Sequence, residues 1–78
     1  MTDALPTGAV IGILGGGQLG RMLSVAAARL GFRTHIFEPG AYPPAGHVAD
    51  QVTTAAYGDV DALTRFAGSV DIITYEFE

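Results

Sequence analysis

Residues 13–22 read ILGGGQLGRM: three consecutive glycines stand between an apolar run and a stretch with helical spacing. Gly15, Gly17 and Gly20 fill the glycine places of a G-x-G-x-x-G pattern. Upstream, residues 9–14 (AVIGIL) form a short continuous apolar run, as in a parallel strand covered on both faces. Downstream, Leu19, Met22, Leu23, Ala26, Ala27 and Leu30 recur in steps of three and four. That spacing predicts one apolar helical stripe, with Arg21, Ser24 and Arg29 largely off it and Gly31 at the C-terminal cap. In a strand–turn–helix unit of this kind Gly15 permits the tight bend, Gly17 lets a ligand approach the backbone, and Gly20 lets the helix pack close to the strand. N–H groups at the helix start, with the helix dipole behind them, favour an anion such as phosphate. The same glycines could serve packing alone, so the motif identifies the unit better than its ligand.

The rest of the chain extends that unit. Residues 33–38 (RTHIFE) predict a second strand, stopped by Pro39 and Gly40. Residues 41–50 (AYPPAGHVAD) predict a connecting loop, because its prolines forbid regular pairing. A short third strand follows around 52–54. Asp59 is placed to cap a second helix, with Val60, Leu63, Phe66 and Ala67 facing inward and Gly68 at its end. Residues 70–78 (VDIITYEFE) predict a fourth strand, whose apolar edge would be unpaired and prone to association. The fold class is therefore α/β: half of a doubly wound, Rossmann-like parallel sheet with helices on its faces. Right-handed crossovers give the strand order 3-2-1-4. In such sheets a ligand sits where the winding reverses, outside the carboxyl ends of the strands. The glycine turn and residues 75–78 (YEFE) are expected to meet there.

Composition narrows the function. A chain of 78 residues holds one domain and buries only about 60% of its unfolded surface. The net charge of −4, with four Lys plus Arg, argues against a nucleic-acid surface. Zero cysteines exclude disulfides and thiolate metal sites. The start, MTDALPTGAV, lacks signal-peptide character, and no apolar run approaches the roughly 20 residues that cross a bilayer. A soluble, cytoplasmic protein without membrane partners is expected. His35 and His47, twelve residues apart without ligand-type spacing, read as structural or solvent-exposed, and no metal site is expected. Tyr42, Tyr57 and Tyr75 read as packing residues with hydrated hydroxyls.

The ligand is less clear from the residues. Glu38 lies 18 residues after Gly20, where a dinucleotide enzyme keeps an acid for ribose hydroxyls, so a nicotinamide-dependent oxidoreductase stays open. Glu76 and Glu78, two apart and hence on one side of a continuing strand, point the other way. Their charge would crowd a bound pyrophosphate, whereas carboxylates suit a ligand with hydroxyls or an amine. Both could equally be solvent-facing strand-end charges. Gln18 adds an amide, donor and acceptor both, inside the turn.

Taken together, IGILGGGQLGRML (11–23), FEPG and PAGHVAD within 37–50, and DIITYEFE (71–78) resemble the N-terminal domain of the N5-carboxyaminoimidazole ribonucleotide synthase family. That family is the ATPase subunit of phosphoribosylaminoimidazole carboxylase, in purine biosynthesis. The resemblance covers nearly the whole chain after its first eight residues. It implies an ATP-grasp ligase, in which residues 1–78 are an N-terminal Rossmann-like (pre-ATP-grasp) domain ahead of a two-lobed ATP domain and a small C-terminal domain. It implies that ATP and bicarbonate give carboxyphosphate, which carboxylates the exocyclic amine of 5-aminoimidazole ribonucleotide. It implies that Gln18 and Leu19, with Gly15, Gly16 and Gly17 of the turn, help hold the ribonucleotide, and that Glu76 does so through ribose hydroxyls. ATP and Mg²⁺ would be bound by domains absent from this chain, the complete enzyme would be a homodimer, and these 78 residues alone would be inactive. His47 departs from the family pattern, where glutamine is commoner. Formate-dependent glycinamide ribonucleotide transformylase, which shares the ATP-grasp organisation and a phosphoribosyl substrate, is the alternative within the ligases. A nicotinamide-dependent oxidoreductase or a non-catalytic nucleotide-binding domain is the alternative outside them.

Overall fold

A computed structural model describes residues 5–75 of the protein. In order they form β1 (Val10–Leu14), α1 (Gln18–Arg29), β2 (Arg33–Glu38), a 3-10 turn (Pro44–His47), β3 (Gln51–Thr54), α2 (Val60–Gly68) and β4 (Ile72–Tyr75). The four strands make one parallel sheet in the order β3-β2-β1-β4, the order expected from right-handed crossovers. Two aspartates set the register at the amino ends. Asp71 accepts from Val10 N–H (2.8 Å) and donates its own N–H to the Val10 carbonyl (2.8 Å), which fixes β4 against β1. Asp50 does the same to Thr34 (2.9 and 3.1 Å) and fixes the chain entering β3 against β2.

Alternation along the strands divides the core into two layers. On the α1 side Ile13, Ile36 and Ala45 are buried together, with Ile11, Leu23 and Ala49 packed against them. On the α2 side Phe37, Ala62 and Phe66 form the second cluster, joined by Leu14, Ala55, Leu63 and Val70. The two layers are chemically unlike: one is aliphatic and small, the other aromatic. Tyr57 stacks on Phe37 with ring centroids 5.8 Å apart, as a packing tyrosine should.

His35 belongs to the aromatic layer. Its ring meets Phe66 edge-on at 4.8 Å, and both nitrogens find hydroxyls. Ser69 Oγ donates to the Phe66 carbonyl (2.8 Å), so it must accept from His35, and Nδ1 carries the proton. Nε2 is then left to accept from Thr53 Oγ1 (2.6 Å). Burial penalises the imidazolium and pushes the His35 pKa below its ordinary value. His47, by contrast, is exposed.

Several expectations fail at the level of helix faces. Of the stripe Leu19, Met22, Leu23, Ala26, Ala27, Leu30, Ala27 is buried and Leu23 packs against the core, but Ala26 is exposed and Leu19, Met22 and Leu30 are 49%, 66% and 70% exposed. Gly20 and the supposedly off-stripe Ser24 are buried beside Ala27. Small residues win because they let the helix axis lie closer to the strands, and the Ser24 hydroxyl is satisfied by donating to the Gly20 carbonyl (2.9 Å). In α2, Phe66 and Leu63 pack inward as expected, but Ala62 replaces Val60 and Ala67, both of which are exposed. Residues 41–50 are more ordered than a plain loop. Pro44 opens the 3-10 turn and drives Ala45 into the core beside α1. Tyr42 is not a packing residue but 95% exposed, and Tyr75 is exposed as well. All of β4 is exposed, at the edge of the sheet formed by the described residues.

Helix ends follow local chemistry closely. After α1, Gly31 takes a φ of +86°, its N–H donates to the Ala28 carbonyl and Phe32 N–H to the Ala27 carbonyl (3.0 and 2.9 Å). That pair of bonds is a Schellman closure, as the glycine in the sequence indicates. Asp59 caps α2 by accepting from Ala62 N–H (3.0 Å). Among the described residues no helix is long and apolar enough to cross a membrane.

Candidate functional site

The glycine turn joins β1 to α1 at the carboxyl edge of the sheet, and each of its residues is fixed differently. Gly15 has a φ of +112°, a region that side chains rarely enter, and donates its N–H to the Phe37 carbonyl (2.8 Å). Gly16 is constrained by proximity. A Cβ there would lie 2.7 Å from Pro43 Cβ and 3.1 Å from Ile36 Cγ2, so no other residue fits without displacement. Gly16 lies outside the G-x-G-x-x-G positions, and its need arises from the 3-10 turn that the sequence did not reveal. Gly17 is the N-cap of α1, in extended conformation, with its carbonyl accepting from Arg21 N–H (3.0 Å). Gln18 and Leu19 open the helix, and both are exposed.

Glu38 closes the turn from the β2 side. Gly16 N–H donates to Glu38 Oε1 (2.7 Å) and Gly40 N–H to Oε2 (2.9 Å). The Gly16 carbonyl in turn accepts from Ala45 N–H (2.9 Å). Between the turn and residues 40–44 lies a cavity of about 280 Å³, with Tyr42 at its rim in the left-handed region (φ +56°). Each Glu38 oxygen thus accepts one backbone N–H, and the carboxylate serves the turn itself. The sequence placed Glu38 at the right strand end and missed its partners, because nothing local signals a bond across 22 residues.

On the other side the turn faces β4. Strands β1 and β4 are neighbours, and Leu14 pairs with Tyr75, so the last residue before the turn stands beside the last described residue. The winding reverses here, where ligands of open α/β sheets bind. Glu76 and Glu78, the acids that the sequence places at this reversal, lie outside the described residues. The structure thus brings Gly15, Gly16, Gly17, Gln18 and Leu19 together at the carboxyl edge and adds Glu38 and the Ala45 N–H behind them. Among the described residues no three of His, Cys, Asp or Glu gather as a metal site would require.

Known proteins are similar to this chain. The family model described as the ribonucleotide synthetase preATP-grasp domain matches residues 9–78. The N5-carboxyaminoimidazole ribonucleotide synthase of Brucella melitensis is 56% identical over 75 residues, covering 96% of this chain and 21% of that protein. Among solved structures, the ADP complex of an N5-carboxyaminoimidazole ribonucleotide synthetase superposes with a TM-score of 0.92 at 42% identity, covering 99% of this chain and 20% of that one. The Aspergillus clavatus N5-carboxyaminoimidazole synthase, in complex with ADP and 5-aminoimidazole ribonucleotide, gives a TM-score of 0.78 at 32% identity, over 91% of this chain and 19% of that one. The chain therefore spans about a fifth of the length of these relatives.

Proposed function

The chain belongs to the ribonucleotide synthetase preATP-grasp family, and on that premise we propose that it is the N-terminal domain of an ATP-dependent carbon–nitrogen ligase. The reaction is the carboxylation of 5-aminoimidazole ribonucleotide with bicarbonate, a step of purine biosynthesis, and this domain supplies part of the ribonucleotide site. One observation carries the reading: Gln18 and Leu19 stand exposed at the carboxyl edge of β1, beside the end of β4, in a chain 56% identical over 75 residues to the Brucella melitensis synthase. A ribonucleotide meets there an amide, backbone N–H groups at a helix start and, through Glu76, a carboxylate suited to ribose hydroxyls. ATP and Mg²⁺ fall to parts of the enzyme outside these 78 residues, and the complete enzyme is a cytoplasmic homodimer.

Steady-state kinetics of the complete enzyme test the assignment. A hydrogen bond to a charged group contributes about 1.5–3 kcal/mol, so Glu76→Ala should raise the ribonucleotide KM about 10–150-fold. Gln18→Ala should act likewise but more weakly, as a neutral pair contributes about 0.5–1.5 kcal/mol. The ATP KM should stay put in both. A change confined to the ATP KM, or no change in either, would remove Glu76 and Gln18 from the site.

A further inference from the structure

We infer that Glu38 is a positioning residue for the ribonucleotide, acting through the glycine turn. The inference rests on the reading above, in which Gln18 and Leu19 hold that substrate. Gly15, Gly16 and Gly17 have no side chains with which to fix their own conformation, and glycine has the most backbone freedom to lose. Such a run must be ordered by something outside itself. Helix α1 offers no help: its N-cap makes no side-chain bond and its first turn contains no acid.

Glu38 supplies a carboxylate from another strand, just ahead of the helix. Its carboxylate bridges Gly16 N–H (2.7 Å) and Gly40 N–H (2.9 Å), tying the turn after β1 to the turn after β2. Bonds to an ionised acceptor are shorter and stronger than neutral ones. The negative charge also lies near the start of α1, where the helix dipole favours it. With Ala45 N–H on the Gly16 carbonyl (2.9 Å), the peptide groups on both sides of Gly16 are held, two residues ahead of Gln18. A turn ordered in advance leaves less to be ordered on binding, and that saving is read in affinity.

The consequence is a split between kinetic constants. In the complete enzyme Glu38→Ala should raise the ribonucleotide KM about 10-fold or more, as lost preorganisation appears in binding. The ATP KM and the rate at saturating ribonucleotide should stay within about twofold, because bound ligand reorders the turn. Glu38→Gln, which keeps one acceptor, should fall between the two and serves as the readout if the alanine variant does not fold. Added acetate, the bare carboxylate, should lower the raised KM of the Glu38→Ala enzyme. A purely structural role predicts the reverse: fewer active molecules, a lower maximal rate and an unmoved KM. That result would overturn the inference. If Gln18→Ala and Glu76→Ala raise the ribonucleotide KM while neither Glu38 variant does, the inference fails and the proposed site stands. If none of them moves it, both fall together.

Discussion

Helix α2 begins under its own side-chain cap and buries an aromatic ring; helix α1 begins on a glycine and fully buries only small residues. Asp59 accepts from Ala62 N–H, and Phe66 lies in the core with its centroid 5.3 Å from that of Phe37. Gly17 caps α1 without a side chain, and the buried residues of that helix are Gly20, Ser24 and Ala27. The difference separates anchoring from recognition. The α2 start satisfies one of its backbone donors with its own side chain. The α1 start is held from behind by Glu38 and presents Gln18 and Leu19 outward. Small residues beneath α1 bring the glycine turn close to the sheet edge, at the cost of apolar area, so the aromatic layer must carry more of the stability.

The strongest way to break this comparison is Phe66→Ala. Truncating a fully buried phenylalanine typically costs about 3–5 kcal/mol. Here the ring contacts both Phe37 and His35, so the upper half of that range is expected. In a domain of this size the loss should remove most of the folding free energy, and a urea melt would show it directly. A shift below about 1 kcal/mol would mean that the aromatic layer is not the main anchor.

The sheet was legible in the sequence because apolar runs, glycine stops and right-handed crossovers leave few alternatives. Strand order, the Gly31 closure and the Asp59 cap all follow from local chemistry, and each is observed. The buried face of α1 was legible only in part: Leu23 and Ala27 face the core as their spacing indicates. Apolar periodicity also selected Leu19, Met22 and Leu30, whereas close approach to the sheet selects small residues, and a sequence does not state how near a helix lies. The site divides in the same way. Gly15 is readable because a tight bend needs a positive φ. The roles of Gly16 and Glu38 depend on a 3-10 turn and a strand end more than twenty residues away, which meet the glycines only once β1 and β2 pair.

A smaller effect sharpens the contrast between the two helix starts. Asp59→Ala removes the cap of α2 and should cost about 1 kcal/mol, within a usual range of about 0.5–2. The cost should appear as a lower urea midpoint with an unchanged slope. In the complete enzyme it should leave the ribonucleotide KM alone, because α2 packs on the opposite face of the sheet from α1. A raised KM would couple the two helices and undo the separation of anchoring from recognition.

The smallest expected effect tests the face of α1 itself. Met22 is two-thirds exposed, on a flank of the helix that also carries Val25 and Leu30 and borders an open groove of about 570 Å³. Met and Gln have nearly equal helix propensity, so Met22→Gln changes side-chain polarity and little else. If the flank is open, as observed, the 78-residue chain should change in stability by less than about 0.5 kcal/mol. If Met22 instead faced the sheet, as its spacing suggests, placing an amide in the core would cost about 2 kcal/mol or more. The two faces of α1 thus differ fourfold in predicted cost, and a chemical denaturation curve distinguishes them. A large loss would mean that the apolar stripe is the packed side of α1, and that the glycine turn is set by it and not by Gly20, Ser24 and Ala27.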